Sequence, residues 1–415
     1  MKILNIYTLS VLFFTVSHLV ASNGQAAESV FEQPGQLKAS LILKPEILKG
    51  KYHTVKEEVK NDGLFNHYEI DTPFGIFQAS STNNLKILVH EIDAIAAMKK
   101  VETDDTVVSS TIKSGENTVS GITNLVTDPQ NTLEGAVSGV ESLFNRAKVT
   151  IGSRKPTSSE DSRLEQLIGM SKAKGEIATK YGVDMYTRNP VLQEELDRLG
   201  QADYLGGLGV GVATSFIPGV GGLVLSTSGT ARLLNEAINT TPASELWLQN
   251  QKKLLDMGID SDTVELYLNN QSFSPTLMTV FVTALESLKG VENRELFVKV
   301  SLQASTPDMA KIITEISVMA AGYHKAISPL KGFAPMARVS QGIRKDMTRV
   351  LFLPTDYIIW DKRVSEISNT LNSEAKGKGY ELWTLGKLSK QATAEFQKLG
   401  WKIHTDVGPK LIPSR

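Results

Sequence analysis

Residues 274–288 read Ser-Pro-Thr-Leu-Met-Thr-Val-Phe-Val-Thr-Ala-Leu-Glu-Ser-Leu, and this stretch predicts an amphipathic helix. Ser274 suits an N-cap, because its hydroxyl can accept a hydrogen bond from a backbone N–H that the first turn leaves unpaired. Pro275 follows at the first helical position, where a missing N–H costs no hydrogen bond. The apolar side chains recur at helical spacing on one face: Leu277, Val280, Phe281, Ala284, Leu285 and Leu288. Such a face must pack against neighbours, so the stretch favours a helical array.

The same pair, an N-cap residue followed by proline, recurs through the middle of the chain. Asn189-Pro190, Thr241-Pro242 and Thr306-Pro307 each pair an N-cap side chain with a proline at the first helical position. A second apolar face, made by residues such as Ile313, Ile316 and Tyr323, follows the last of these pairs. We therefore predict a helical domain over residues 151–330.

Smaller units flank this helical domain. Upstream, Asn61-Asp62-Gly63 and Thr72-Pro73-Phe74-Gly75 are turn sequences between strand-like runs, and a helix begins near Asn83. Downstream, strand-like and helix-like runs alternate over 350–404, which predicts parallel pairing. The predicted fold class is α+β and predominantly α: an N-terminal β-hairpin or meander plus helices (28–150), a central helical array with a glycine-rich hairpin, and a small basic C-terminal α/β module (331–415).

The first 27 residues have the features of a cleavable export signal. Lys2 is a short positive region, Ile3 to Val20 is apolar, and small residues such as Ala21 and Ala27 follow where a signal peptidase cuts. An uncleaved membrane anchor is the alternative. The 415 residues include no cysteine, which excludes disulfides and thiolate catalysis. We expect an exported protein of the periplasm or cell envelope, and its association with a membrane stays open.

The segment 204–231 is rich in glycine and has no charged side chain. Gly207 and Gly211 form a GxxxG pair, which lets two helix backbones approach closely, and Pro218-Gly219 would turn a helix midway. Three interpretations remain open: a buried helical hairpin, a membrane-associated segment, and a hairpin that inserts conditionally to form a pore. The residues expected to make this membrane or interaction segment are Leu205, Gly207, Gly211, Phe216, Pro218, Gly219, Gly222 and Leu225.

The tail is more basic than the rest of a chain whose formal net charge is only −1. From Lys325 to Arg415 there are sixteen Lys and Arg against eight Asp and Glu. The residues predicted to form one basic surface are Lys376, Lys378, Lys387, Lys390, Lys398 and Lys402. This surface could meet an anionic partner or could simply be solvated. We expect membrane lipid or an envelope protein as partner and no nucleic acid, and the oligomeric state stays open.

Few residues match a catalytic or metal-binding pattern, and we predict no cofactor and no metal site. His90 is expected to be exposed on its helix, since an HExxH pair would need histidine where Ala94 stands. His53 and His67 could face each other across the hairpin, but two histidines alone make a weak metal site. Asp356 follows a strand at a place where α/β proteins put catalytic acids, although a loop acid is the plainer interpretation.

Two parts of the chain resemble an uncharacterised family of exported bacterial proteins, of proteobacterial type. The first runs from Ser171 through Tyr181-Gly182-Val183-Asp184-Met185-Tyr186-Thr187-Arg188-Asn189-Pro190 into the glycine-rich segment, and the second ends at Leu399-Gly400-Trp401. The resemblance implies a bacterial envelope context. It carries over no activity and no functional residue.

These observations lead to one expected function and two alternatives. The expected function is that of a non-catalytic exported envelope protein, which associates with a membrane or a partner through its glycine-rich segment. The first alternative is an enzyme, such as a hydrolase of envelope polymers, with a site between the helical domain and the C-terminal module. The second alternative is a membrane-inserting pore-former. A cleft that gathers Asp356 and polar residues of the helical domain would favour the enzyme.

Overall fold

The computed structural model describes residues 31–101, 158–206, 237–336, 339–374 and 379–412. Helices dominate it, an antiparallel sheet lies near the N-terminus, and a mixed sheet lies near the C-terminus. The predicted α+β, predominantly α fold class is confirmed.

The front unit is a small antiparallel sheet with a helix packed on it. Its elements are β1 (Gln36–Lys38), α1 (Ala39–Ile42), α2 (Pro45–Leu48), β2 (Thr54–Val55), β3 (Glu58–Asn61), β4 (Asn66–Thr72), β5 (Gly75–Ser80) and α3 (Thr82–Met98). Strand β4 pairs with β2, β3 and β5, and the turns fall where the sequence predicts them. Tyr68 and Ile70 of β4 are buried with Leu85 and Ile92 of α3, so the alternating strand faces the helix.

The middle of the chain is a helical array. Its helices are α4 (Ser158–Tyr181), α5 (Pro190–Tyr204), α6 (Ala243–Asp256), α7 (Ser261–Leu268), α8 (Pro275–Ser287), α9 (Glu295–Ser301) and α10 (Pro307–Ala326). Asn189, Ser274 and Thr306 each accept a hydrogen bond from a backbone N–H of the first turn, as predicted. The prediction for Thr241-Pro242 is wrong, because Pro242 itself is the N-cap of α6. The Thr241 hydroxyl instead donates back to the carbonyl of Ala237, 2.6 Å away.

The tail is built on a five-stranded sheet. Its strands and helices are β6 (Leu330–Met336), β7 (Val339–Arg344), β8 (Arg349–Leu353), β9 (Tyr357–Ile358), α11 (Lys362–Glu374), β10 (Tyr380–Thr384), β11 (Lys387–Leu388), α12 (Lys390–Lys398), β12 (Lys402–His404) and α13 (Gly408–Leu411). Strand β10 lies between β8 and β12 and is parallel to both, which confirms the predicted parallel pairing. The hairpin β6–β7 extends the sheet in antiparallel fashion.

A continuous apolar core joins the helices to the tail sheet. Phe297 of α9 packs edge-on against Phe333 of β6, with ring centroids 4.7 Å apart. Tyr323 of α10 packs on Phe352 of β8 and Trp383 of β10, at 5.4 and 5.1 Å. Aromatic pairs of this kind add stabilisation beyond the area that they bury. Helix α10 is therefore held firmly by the tail sheet along its C-terminal half.

The Asp356 carboxylate is one of the groups that tie the front unit to the tail. Asp356, which follows β8, accepts hydrogen bonds from the backbone N–H groups of Asn66 and Thr82, both at 2.9 Å. In return, the carbonyl of Leu64 accepts the backbone N–H of Asp356 at 3.0 Å. These bonds fix the start of β4 and the start of α3 against the tail, next to the first turns of α10.

The fold depends on a close approach between α10 and the C-terminal turn at Gly322. A Cβ atom at Gly322 would overlap the backbone carbonyl of Leu411 in α13. We expect Gly322→Ala to lower the free energy of unfolding by about 1–3 kcal/mol, as overpacked sites do. Gly35→Ala is the matched control, because its added methyl group meets no atom within 4 Å. Denaturant unfolding followed by circular dichroism measures both, and equal midpoints for the two variants would contradict this expectation.

Candidate functional site

A pocket of about 170 Å³ lies where the front unit meets helix α10. One wall comes from the β3–β4 turn, from β4, and from the junction of β5 with α3. The other wall comes from the first turns of α10. The lining residues are Asp62, Phe65, His67, Ser80, Ser81, Asn84, Asp308, Lys311, Ile312 and Glu315. The pocket therefore combines two serines, a histidine, carboxylates and a lysine, the residue types of acid–base and nucleophilic chemistry.

Three side chains of the front unit form a hydrogen-bonded line along the pocket. The Asp62 carboxylate lies 3.0 Å from Nε2 of His67, and Nδ1 of His67 lies 3.3 Å from Oγ of Ser80. An ionised carboxylate only accepts hydrogen bonds, so Nε2 of His67 carries a proton. In the neutral ring, Nδ1 can then accept a hydrogen bond from the Ser80 hydroxyl. This is the arrangement of an acid that orients a base beside a nucleophile.

Asp62 stays ionised because its surroundings favour the charge. Burial alone would raise the pKa of Asp62, but the backbone N–H groups of Phe65 and Leu64 and the His67 ring hold that pKa below its ordinary value. The two N–H groups donate to Oδ1 of Asp62 at 2.8 and 2.9 Å. Its other oxygen, Oδ2, faces the histidine.

The strand register puts His67 beside Ser80. Strands β4 and β5 are joined by the tight turn after Thr72, which pairs with Gly75. Counting back through the antiparallel ladder pairs His67 with Ser80. Directly opposed side chains lie on the same face of a sheet and are close enough to bond. The contact therefore follows from the turn and the strand pairing.

Ser81, at the junction of β5 with α3, has a strained backbone. Its φ of 83° and ψ of 148° fall in a region that is nearly reserved for glycine and costs on the order of 1–3 kcal/mol. Three contacts hold Ser81 in place. Its N–H donates to the carbonyl of Asn66, and its Oγ accepts from the N–H of Asn84. The next residue, Thr82, donates its backbone N–H to the Asp356 carboxylate. Strain of this kind collects at functional sites, where neighbouring structure fixes a side chain in place.

The opposite wall carries a titratable pair one helical turn apart, Lys311 and Glu315. Burial raises the pKa of Glu315 to about 7. The positive charge of Lys311 and a 2.6 Å hydrogen bond from Asn83 both favour the carboxylate and keep this rise smaller. Burial lowers the pKa of Lys311, while nearby carboxylates favour its charge. A carboxyl group that changes its protonation near neutral pH can act as an acid or a base there.

Two further acids lie behind Lys311 and hold the junction together. Glu91 of α3 accepts hydrogen bonds from the Thr187 hydroxyl at 2.6 Å and from the Asn189 amide at 2.9 Å. Asp184 accepts the Thr276 hydroxyl of α8 at 2.6 Å. Burial raises the pKa of both acids, and the hydrogen bonds and Lys311 oppose that rise. The polar centre thus connects α3, the loop before α5, α8 and α10.

The predicted glycine-rich segment falls mainly outside the described residues. Gly207, Gly211, Phe216, Pro218, Gly219, Gly222 and Leu225 all lie there. Leu205, at the end of α5, is 51% exposed, and Tyr204 beside it is 41% exposed. Across the described ranges, no helix has both the length and the apolar character that crossing a bilayer requires.

The basic surface is described only in part. Lys376 and Lys378 lie outside the described residues. Lys387, Lys390, Lys398 and Lys402 are exposed, and Lys398 forms an ion pair with Glu395 at 2.6 Å. Exposed pairs of this kind contribute little to stability. All four lysines face solvent on the tail module.

The structure corrects one prediction about the histidines. His90 is buried and not exposed, because α3 packs against the chain after α4, where its Nε2 donates to the carbonyl of Gly182 at 3.0 Å. His53 and His67 have separate partners: His53 donates to the carbonyl of Ile47, and His67 bonds Asp62 and Ser80. Within the described ranges, no three His, Cys, Asp or Glu side chains are grouped to hold a metal.

Sequence reasoning missed most of this site. The sequence places Asp62 in a turn and Asp356 in a loop or at a catalytic position, and no pattern in it marks Ser80, Lys311 or Glu315. The register of His67 with Ser80 could have been found by counting back from the turn at residues 72–75. The approach of α10 to the front unit has no local sequence signal. Comparison of the chain with protein-family models, with curated proteins and with solved structures finds no match.

The raised pKa of Glu315 predicts a pH-dependent contribution to stability. Between its ordinary value of 4.5 and about 7, the unfolded chain releases the proton that the folded protein keeps. The contribution is therefore present below about pH 4.5 and is lost as the pH rises through 7, by at most roughly 3 kcal/mol. We expect Glu315→Gln, which does not titrate, to be more stable relative to wild type at pH 8 than at pH 5.

Thermal unfolding at the two pH values measures this difference. Glu366→Gln on α11 is the control, because the Glu366 side chain is 67% exposed and lies away from the pocket. The same pH dependence in wild type and Glu315→Gln would contradict the assignment.

Proposed function

We propose that the protein is an exported hydrolase that cleaves esters in the pocket between the front unit and helix α10. The observation that carries the proposal is the hydrogen-bonded line Asp62–His67–Ser80 along the pocket wall. The roles are nucleophile for Ser80, general base for His67 and orienting carboxylate for Asp62. This develops the enzyme alternative from the sequence, with the site between α10 and the front unit instead of the helical domain and the tail module.

The reaction would proceed in two balanced steps. In the first, the Ser80 hydroxyl proton moves to Nδ1 of His67 while Oγ bonds the ester carbon, and the proton then passes to the departing alkoxide as the ester C–O bond breaks. In the second, His67 takes a proton from water while the water oxygen bonds the acyl carbon. The bond to Ser80 breaks and its oxygen regains the proton, which leaves a carboxylic acid and an alcohol. Asp62 stabilises the imidazolium in both steps.

Two features of the surroundings support this assignment. Ser80 stands directly before the strained Ser81, at a strand-to-helix junction that Asp356 fixes against the tail. Lys311 lines the opposite wall, where its positive charge would stabilise negative charge that develops on the ester oxygen. Asp356 contributes by positioning the chain around the relay, because it accepts the backbone N–H groups of Asn66, next to His67, and of Thr82, two residues after Ser80.

The proposal predicts ester hydrolysis that depends on Ser80 and His67. With purified protein and p-nitrophenyl acetate, we expect Ser80→Ala and His67→Gln each to lower kcat/KM by at least about 100-fold, since both remove part of one relay. Asp62→Asn should lower kcat more than it raises KM, because it disturbs the tautomer and not the binding of the ester.

Ser261→Ala is the matched control, since Ser261 is exposed at the start of α7. Circular dichroism and thermal unfolding check that each variant is folded. The proposal would be contradicted if folded Ser80→Ala hydrolysed the ester at the wild-type rate. It would also be contradicted if wild-type protein hydrolysed the ester no faster than buffer alone.

A second proposal concerns where the exported protein resides. We propose that residues 204–231 associate with a membrane or a partner of the envelope, which would keep the hydrolase near its substrate. The supporting observation is that Tyr204 and Leu205, at the end of α5, are exposed apolar side chains. They begin a segment that has no Asp, Glu, Lys, Arg or His. The exposed lysines of the tail would favour an anionic lipid surface.

Cell fractionation followed by a carbonate wash tests this association. We expect wild-type protein in the washed membrane fraction and expect Phe216→Asp to shift toward the soluble fraction, because a charge in an apolar segment opposes membrane burial. Thr393→Asp on α12 is the control charge. Wild-type protein wholly in the soluble fraction would contradict membrane association, and dye release from liposomes would favour the pore-former instead.

A further inference from the structure

The size of the pocket limits what can occupy it. Its volume is about 170 Å³, close to that of a cavity of about 150 Å³ that holds one benzene molecule. Phe65 on one side and Ile312 on the other provide its apolar walls. Ser80 lies at the same pocket, so an acyl group bonded to its oxygen would fill the space between these two side chains. A long acyl chain would have to leave the pocket or displace Ile312.

The charge of the pocket limits its occupant further. Asp62 is ionised, and Asp308 brings a second carboxylate at the exposed start of α10. The positive charge of Lys311 is shared among Glu315, Glu91, Asp308 and Asp184, which all interact with it. Within the pocket lining, Asp62 and Asp308 outnumber Lys311, so an acyl group with a second carboxylate would be repelled.

We propose that this pocket binds the acyl part of the substrate and selects a small uncharged group, of about six carbons or fewer, over longer or carboxylate-bearing groups. The inference rests on the hydrolase proposed above and adds its substrate class, short-chain acyl esters. The alcohol part would project from the open side of the pocket, so the pocket itself selects only the acyl group.

A series of four esters tests the selection: the p-nitrophenyl esters of acetate, butyrate, octanoate and hemisuccinate. We expect kcat/KM for acetate or butyrate to exceed that for octanoate and for hemisuccinate by at least about tenfold, a ratio that steric and charge mismatch in a small pocket commonly reaches. Folded Ser80→Ala should lose hydrolysis of all four esters.

Two variants separate the size and charge arguments. Ile312→Ala should raise the octanoate-to-acetate ratio of kcat/KM by about tenfold without the same rise for hemisuccinate, because it removes an apolar wall. Asp308→Asn should raise the hemisuccinate-to-acetate ratio and leave the octanoate ratio near wild type, because it removes charge at nearly constant size. Glu366→Gln, remote on α11, should change neither ratio.

The outcomes distinguish the two proposals. Hydrolysis that depends on Ser80 but treats all four esters alike, or prefers octanoate or hemisuccinate, would overturn the selection and leave the hydrolase standing. Absence of Ser80-dependent hydrolysis with every ester would overturn both. A tenfold preference that responds to Ile312→Ala and Asp308→Asn as expected supports the pocket as the acyl site.

Discussion

The arrangement of the site depends on one partly buried carboxylate, that of Asp356. It accepts the backbone N–H groups of Asn66 and Thr82, residues that lie far away in the chain and adjoin His67 and Ser81. Burial raises the pKa of Asp356, and the two N–H groups and Lys86 oppose that rise. Charge-assisted hydrogen bonds are stronger than neutral ones, so this single side chain can fix both elements.

The fixed junction explains how a strained serine can persist. Ser81 would relax if the start of β4 and the start of α3 could move apart, but the Asp356 carboxylate holds both Asn66 and Thr82. The adjoining wall, α10, is held in turn by the aromatic contacts of Tyr323 with the tail sheet. The tail thus supports both walls of the pocket, although it supplies none of the lining residues.

The predictability of the site differs from wall to wall. The wall that carries Asp62, His67 and Ser80 could be predicted from the sequence, because the turn at Thr72 sets the register that pairs His67 with Ser80. The α10 wall was not, since the positions of Lys311 and Glu315 on that helix say nothing about which distant element they will face. His90 shows the same limit: its helix was predicted, but its burial depends on the chain near Gly182, which packs over it.

The sequence by itself determined the local elements: three of the four proline-marked helix starts, both hairpin turns and the parallel strands of the tail. Those features depend on backbone chemistry within a few residues, such as a missing N–H or a tight turn. Tertiary structure alone decided which elements meet, and with it the burial of Glu315, the role of Asp356 and the pocket itself. These follow from packing between residues hundreds of positions apart, which no short-range pattern encodes.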